Sequence, residues 1–270
     1  MESERMTAVD IEAFVAELAT AAGEAIRPFF RTTLAMLDKS AGVAFDPVTE
    51  ADRAAETTMR QMIMETFPEH GIVGEEFPDH LPDAEYVWVL DPIDGTKSFI
   101  SGFPTWGTLI CLEHNGQPAY GMMHQPFTRE RFLGDGARAS WSGLNPHGTE
   151  ILHHIHTRPC HSLAEATTMT TSPALLQPEE RERYARIEQE ARLSRYGGDC
   201  YSYCMLAAGH IDLVVESGLK PYDIAALIPI VKGAGGVVSD WEGRDASKGG
   251  RVIAAGDARL HEAALKVLNG

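Results

Sequence analysis

Residues 88–102 read Trp-Val-Leu-Asp-Pro-Ile-Asp-Gly-Thr-Lys-Ser-Phe-Ile-Ser-Gly. The apolar run from Tyr86 to Leu90 predicts a buried strand. It stops abruptly at Asp91, Pro92, Ile93, Asp94, Gly95 and Thr96. Pro92 has no N–H and ends strand pairing. Gly95 permits a tight turn, and Thr96 to Ile100 can then start a helix. Two carboxylates at the tip of a core strand lie where open α/β sheets bind ligands.

Two carboxylates held this close repel each other unless a cation lies between them. Oxygen donors favour hard cations such as Mg²⁺. The N–H groups of Gly95 and Thr96, at a helix start, can hold a phosphate. A surface turn with capping aspartates would use the same residues, so the stretch is weighed together with the others that resemble it.

Gly71-Ile-Val-Gly-Glu-Glu-Phe77 repeats the design, a short apolar strand followed by Glu75 and Glu76. Asp46-Pro-Val-Thr-Glu-Ala-Asp52 places Asp52 at the start of a helix, where an acid also suits the dipole. Lys220-Pro-Tyr-Asp-Ile-Ala-Ala226 places Asp223 at another helix start after a strand, where it also reads as an N-cap.

The rest of the chain reads as alternating elements. Helical spacing of Ile11, Phe14, Val15, Leu18, Ala22 and Ile26 predicts a helix over 8–30, and a second covers 50–67. Asn115-Gly116 and Asp135-Gly136 signal hairpins in a β-rich stretch. Further strands are expected over 151–156, 211–215, 236–239 and 251–255. Helices are expected over 178–191, 199–208, 222–232 and 257–268, the last capped by Asp257. The turn-rich stretch 143–150 suggests a boundary between an α+β first part, 1–145, and an α/β second part, 146–270.

The net charge of −16 repels phosphate backbones, which argues against nucleic acid as a partner. No apolar run approaches membrane-span length, and the first residues lack the apolar core of a signal peptide, so a cytoplasmic protein is expected. The four cysteines, at 111, 160, 200 and 204, show no zinc spacing and read as buried thiols. His153, His154, His156 and His161 read as an exposed strand face rather than a zinc site.

In order and spacing, the G-E-E, D-P-I-D-G-T and Y-D-I-A-A segments resemble the signature set of the inositol-monophosphatase-like metal-dependent phosphatases, from about Lys39 to the C-terminus. The resemblance implies the five-layer αβαβα sandwich of the inositol-monophosphatase and fructose-1,6-bisphosphatase type, with the site between the two parts. It implies that Glu75, Asp91 and the Ile93 carbonyl hold one Mg²⁺. Asp91, Asp94 and Asp223 would hold a second, and a weaker third ion would use Glu75. Mn²⁺ is an alternative ion. It also implies that Thr96 and Asp52 orient the attacking water, and that the N–H groups of Gly95 and Thr96 hold the phosphate of a small substrate. A homodimer is the family expectation. A lysine near Lys39 often approaches the metal site in this family; a solvated surface lysine is the other reading.

The segment from Arg195 to Gly236 resembles the histidinol-phosphate phosphatase branch, through G-G-D-C-Y, E-x-G-L-K-P-Y-D and A-A-L-I-P-I. Asp199 and Glu216 would then face the leaving group. Two carboxylates suit the ammonium and imidazole of histidinol, whereas neutral inositol would leave them uncompensated. The other reading of Asp199 is a cap of the helix that follows, and one residue can do both. Inositol phosphates, or a broad set of small phosphates, are the alternative substrates. A non-catalytic metal- or phosphate-binding regulator is the alternative from another class.

Overall fold

The N-terminal periodicity closes into α1 (Thr7–Ile26), and a 3₁₀ turn, Arg27–Phe29, follows where the helix was expected to continue. Pro28 stops it, lacking an N–H and crowding the preceding turn. This structure is a computed structural model that describes residues 7–32, 36–38 and 47–270, with Lys39 outside the described residues. A two-stranded antiparallel ribbon, β1 (Met36–Asp38) and β2 (Pro47–Thr49), leads into α2 (Glu50–Thr66).

The first sheet has seven strands in chain order: β3 (Gly71–Gly74), β4 (Tyr86–Asp94), β5 (Gly107–His114), β6 (Gln117–Gln125), β7 (Glu130–Gly134), β8 (Ala139–Leu144) and β9 (Glu150–His154). A short helix, α3 (Thr96–Ile100), leaves the end of β4. Only β3 and β4 are parallel; the other neighbours are antiparallel. Asn115 and Gly116 turn β5 into β6 with φ of 51° and 72°, the doubly positive turn that matches strand twist. The turn-rich stretch after Leu144 joins β8 to β9, so the first sheet extends to His154.

The second sheet has the order β11-β10-β12-β14-β13. The strands are β10 (Thr167–Thr170), β11 (Leu193–Tyr196), β12 (Leu213–Leu219), β13 (Val237–Ser239) and β14 (Gly250–Ala255). The helices are α4 (Pro178–Glu190), α5 (Asp199–Ala207), α6 (Pro221–Ile224), α7 (Leu227–Gly233) and α8 (Ala258–Asn269). Asp257 caps α8, accepting from Arg259 N as expected. The single helix expected over 222–232 is two, broken between Ile224 and Leu227. Pro229 accounts for this, since it cannot donate back to the Ala225 carbonyl.

Three apolar cores fill the four interfaces between five layers, the middle core enclosing the central helices α5 and α7. In the first, Trp88 and Leu90 of β4 meet α1 and α2. In the second, Val87 and Val89 from the opposite face of β4 meet α5, α7 and strand β12. In the third, Leu213, Val215 and Ile253 meet α4 and α8. This is the αβαβα order implied by the family resemblance. Burial on both faces explains why residues 87–90 form a continuous apolar run instead of an alternating one. Each large side chain so buried contributes about 1.5–3 kcal/mol. The four cysteines are free and buried. His153 and His154 lie exposed on β9, His153 stacked on Trp141.

Where α1 crosses β6, His124 is buried against Gly23, at which a Cβ would come within 3.0 Å of the imidazole Nε2. Nδ1 lies 3.1 Å from the Glu130 carbonyl. Burial, with Arg131 beside it, pushes the His124 pKa down to about 4. The unfolded imidazole titrates near ~6.5. As pH falls from that value, the unfolded chain takes up a proton the folded one refuses, so stability declines until the folded pKa is passed. The expected slope from this residue is at most about 1.4 kcal/mol per pH unit. Urea midpoints of the wild type should therefore fall more steeply between pH 6.5 and 4.5 than those of His124→Gln; equal slopes contradict the assignment.

Candidate active site

The end of β4 is built by what each residue lacks. The β4–β5 register jumps from Asp91↔Leu109 to Asp94↔Gly107, a bulge across Pro92 and Ile93. Pro92 has no N–H to pair, and its carbonyl accepts from Thr108 Oγ1 at 2.8 Å. Gly95 sits at φ 86°, where a side chain would be strained, and a Cβ there would lie 3.0 Å from Asp199 Cγ. The Thr96 hydroxyl begins α3 and donates to the Ile93 carbonyl at 3.2 Å.

This geometry aims carboxylates at one point. Oxygens of Asp91, Asp94 and Asp223 all lie within 4.8 Å of one another. Asp91 is 1% exposed, and its Oδ1 has no hydrogen-bond partner among the described residues. Burial raises its pKa well above the usual carboxylate range, and Glu75, Asp94, Asp223 and Asp52 raise it further. Those four acids come from the loop after β3, β4 itself, α6 and the first turn of α2, so the fold gathers acids that are 171 positions apart in sequence (52 to 223). Asp94 is raised by burial, then by Asp199 and Asp223, and is partly relieved by the Cys200 N–H at 2.6 Å. Asp223 is pushed up to about 6 by burial, although the Lys220 N–H donates to it at 2.6 Å. It stands in the first turn of α6 rather than at its N-cap, which is Lys220. A buried carboxylate oxygen without a donor, within an all-oxygen acidic set, fits a hard divalent cation.

A cleft of about 310 Å³ opens beside this cluster, lined by Asp94, Asp223, Asp199, Glu216, Thr171 and Tyr203, among others. Asp199 is the first residue of α5, and Gly198 is the N-cap, so the alternative reading of Asp199 as the cap does not hold. Its backbone turns left-handed at φ 43°, and its carboxylate accepts from Ser98 Oγ at 2.7 Å in α3. Glu216 lies in β12 and accepts from Thr171 N at 2.6 Å, Thr171 Oγ1 at 2.9 Å and Thr170 Oγ1 at 3.2 Å. Burial still pushes its pKa up to about 7. A carboxylate has about four lone-pair sites, so Glu216 keeps one for a ligand.

The inositol monophosphatase family model matches residues 7–269. The chain belongs to the inositol monophosphatase family of phosphatases. Among its relatives is the chloroplastic bifunctional phosphatase IMPL2 of Arabidopsis thaliana, 44% identical over 93% of this chain and 72% of that protein. The histidinol-phosphatase of Chlorobaculum parvum is 34% identical over 94% of this chain and 95% of its own. A solved inositol monophosphatase from Zymomonas mobilis superposes with a TM-score of 0.86 at 44% identity, covering 98% of this chain and 99% of that one.

For this family member, sequence reasoning missed a brace behind the acidic loop. Glu56, fully buried in α2, accepts from Arg60 Nε at 2.7 Å and from Glu76 N at 2.8 Å. Arg60 also donates to the carbonyls of Phe77 and Pro78, both at 3.1 Å. Gly74 must be glycine because a Cβ there would come within 2.2 Å of Glu56 Oε1. The loop carrying Glu75 is thus tied to the helix carrying Asp52. The available signal was the spacing: Asp52, Glu56 and Arg60 recur every four residues, beside the apolar face of α2. Breaking a buried pair strands its partner's charge. Arg60→Met should therefore cost about 3 kcal/mol or more in urea unfolding. The double variant Glu56→Gln/Arg60→Met should cost less than the single one. A neutral Arg60→Met, or a double variant worse than the single, contradicts the brace.

Proposed function

We propose that this phosphatase is a Mg²⁺-dependent phosphomonoesterase that hydrolyses L-histidinol phosphate to L-histidinol and phosphate, in histidine biosynthesis. The observation that carries the reading is the pair of carboxylates, Asp199 and Glu216, lining the cleft next to the Asp91–Asp94–Asp223 cluster. An amine and an imidazole supply the positive charge that two such carboxylates require. The name of the Chlorobaculum relative supports the same substrate.

In this reading Glu75, Asp91, Asp94, Asp223 and the Ile93 carbonyl hold two to three Mg²⁺ ions, with Mn²⁺ an alternative. When bound, the ions neutralise the phosphate dianion, polarise the P–O bond and make water more acidic. The N–H groups of Gly95 and Thr96 orient phosphate oxygens, and Thr96 with Asp52 positions the attacking water. The water oxygen bonds to phosphorus while the ester P–O bond breaks. The alcohol leaves with its oxygen and takes up one proton of the attacking water, whose other proton stays on the phosphate. Asp199 and Glu216 hold the leaving group. Cytoplasmic location and a homodimer complete the proposal; among the described residues, no helix is long and apolar enough to cross a membrane. Hydrolysis of inositol phosphates is the second reading, favoured by the Zymomonas relative and by the three donors already on Glu216.

The test is phosphate release with Mg²⁺ from L-histidinol phosphate and myo-inositol 1-phosphate side by side. A kcat/KM preference of at least ~10²-fold for the former, collapsing in Asp199→Ala, is expected. Equal or better use of the inositol ester assigns the second reading. Asp94→Asn should lower kcat by at least ~10²-fold with the circular-dichroism spectrum unchanged. Full activity in that variant rules out the ligand assignment, whereas a wild type that hydrolyses neither ester leaves a regulator as the better reading.

A further inference from the structure

Tyr203 lies one turn beyond Asp199 in α5, and its ring is packed in the core between the two sheets. It is 2% exposed, and its hydroxyl has no hydrogen-bond partner among the described residues. Of the buried side-chain polar atoms left so, the Tyr203 hydroxyl is the one on a residue lining the cleft. Its neighbours are all tied to protein donors: Asp94 to Cys200 N, Asp199 to Ser98 Oγ, and Glu216 to Thr170 and Thr171. A buried phenol normally finds a partner, because leaving it unmade costs about 1–3 kcal/mol. Phenylalanine would fill the same space without that cost.

We propose that the Tyr203 hydroxyl is a specificity-determining contact that accepts a hydrogen bond from a nitrogen on the leaving-group side of the substrate. This rests on the phosphatase reading above. Burial, with Glu216, Asp94 and Asp223 nearby, keeps the phenol protonated, so it meets the substrate as a neutral group beside anionic ones. The carboxylates attract positive charge from any direction, whereas the phenol oxygen demands an N–H at one place. A leaving group that lacks a polar hydrogen leaves that oxygen unpaired, which is how a site rejects close analogues.

The experiment compares Tyr203→Phe with the wild type, using Mg²⁺ and two esters, L-histidinol phosphate and phenyl phosphate. The loss of one hydrogen bond to a charged group should raise KM for L-histidinol phosphate roughly 10-fold, with kcat changed less than about threefold. The kcat/KM for phenyl phosphate, which has no polar group to lose, should change less than about twofold. The metal-free, substrate-free variant should melt at the same temperature or higher, and Mn²⁺ affinity by electron paramagnetic resonance should be unchanged. A lower Tm shows a structural hydrogen bond and overturns the proposal. So does weaker Mn²⁺ binding, which assigns the hydroxyl to the metal site, or an equal loss on both esters. If the wild type hydrolyses neither ester, the phosphatase reading fails and this inference fails with it. Turnover of both with equal loss overturns this inference alone.

Discussion

Asp91, Asp94 and Asp223 hold carboxylate oxygens within 4.8 Å of one another at the end of a strand buried on both faces. Left to itself such a cluster would protonate or move apart, because each carboxylate loses hydration and gains like-charged neighbours. The upward pKa shifts of all three express that stress. What keeps the acids in place is the rigidity of β4. A strand with apolar cores on both sides cannot slide or twist away from the repulsion at its tip without disturbing both cores. The bulge at Pro92 and the left-handed Gly95 then allow the chain to leave the sheet with both aspartates still facing the same point.

The bracing comes from two directions. On the side of the first core, the Glu56–Arg60 pair of α2 ties down the loop that carries Glu75. In the middle core, the start of α5 gives its Cys200 N–H to Asp94, and Asp199 reaches across to Ser98. The second contact joins α3, which leaves the end of β4, to α5 at the site itself. Several side chains that line the cleft therefore hold the architecture as well. Glu216 fastens β12 to the residues following β10 while it faces the same cleft as Asp94.

Much of this was legible in the chain because the motif residues carry their own local reasons. An apolar run ending in D-P-I-D-G-T specifies a strand, a stop and a turn, whatever the rest of the chain does. The parts that were not legible depended on distant neighbours. Strand β10 is the threonine-rich segment Thr167–Thr170, without an apolar run to announce it. It is buried because β11 and β12 flank it. The G-G-D sequence before α5 looked like a cap, yet the Asp199 side chain is drawn away to a serine 101 positions earlier. Glu56 and Arg60 belong to no motif read from the sequence, because the loop from Glu76 to Pro78 that they hold meets them only in the fold.

By itself the sequence pointed to the type of site: oxygen donors on a strand end, a glycine that permits a tight turn, and acids in segments that resemble those of a metal-dependent phosphatase. It also determined the layered α/β class, since strand and helix periodicity are local properties of the chain. The tertiary structure decided which acids meet, which of them are already committed to protein donors, and which polar group on a residue lining the cleft, the buried Tyr203 hydroxyl, has no partner among the described residues. The physical reason is that burial and like-charge repulsion are properties of a place in three dimensions. They are set by side chains that packing brings together from positions far apart along the chain.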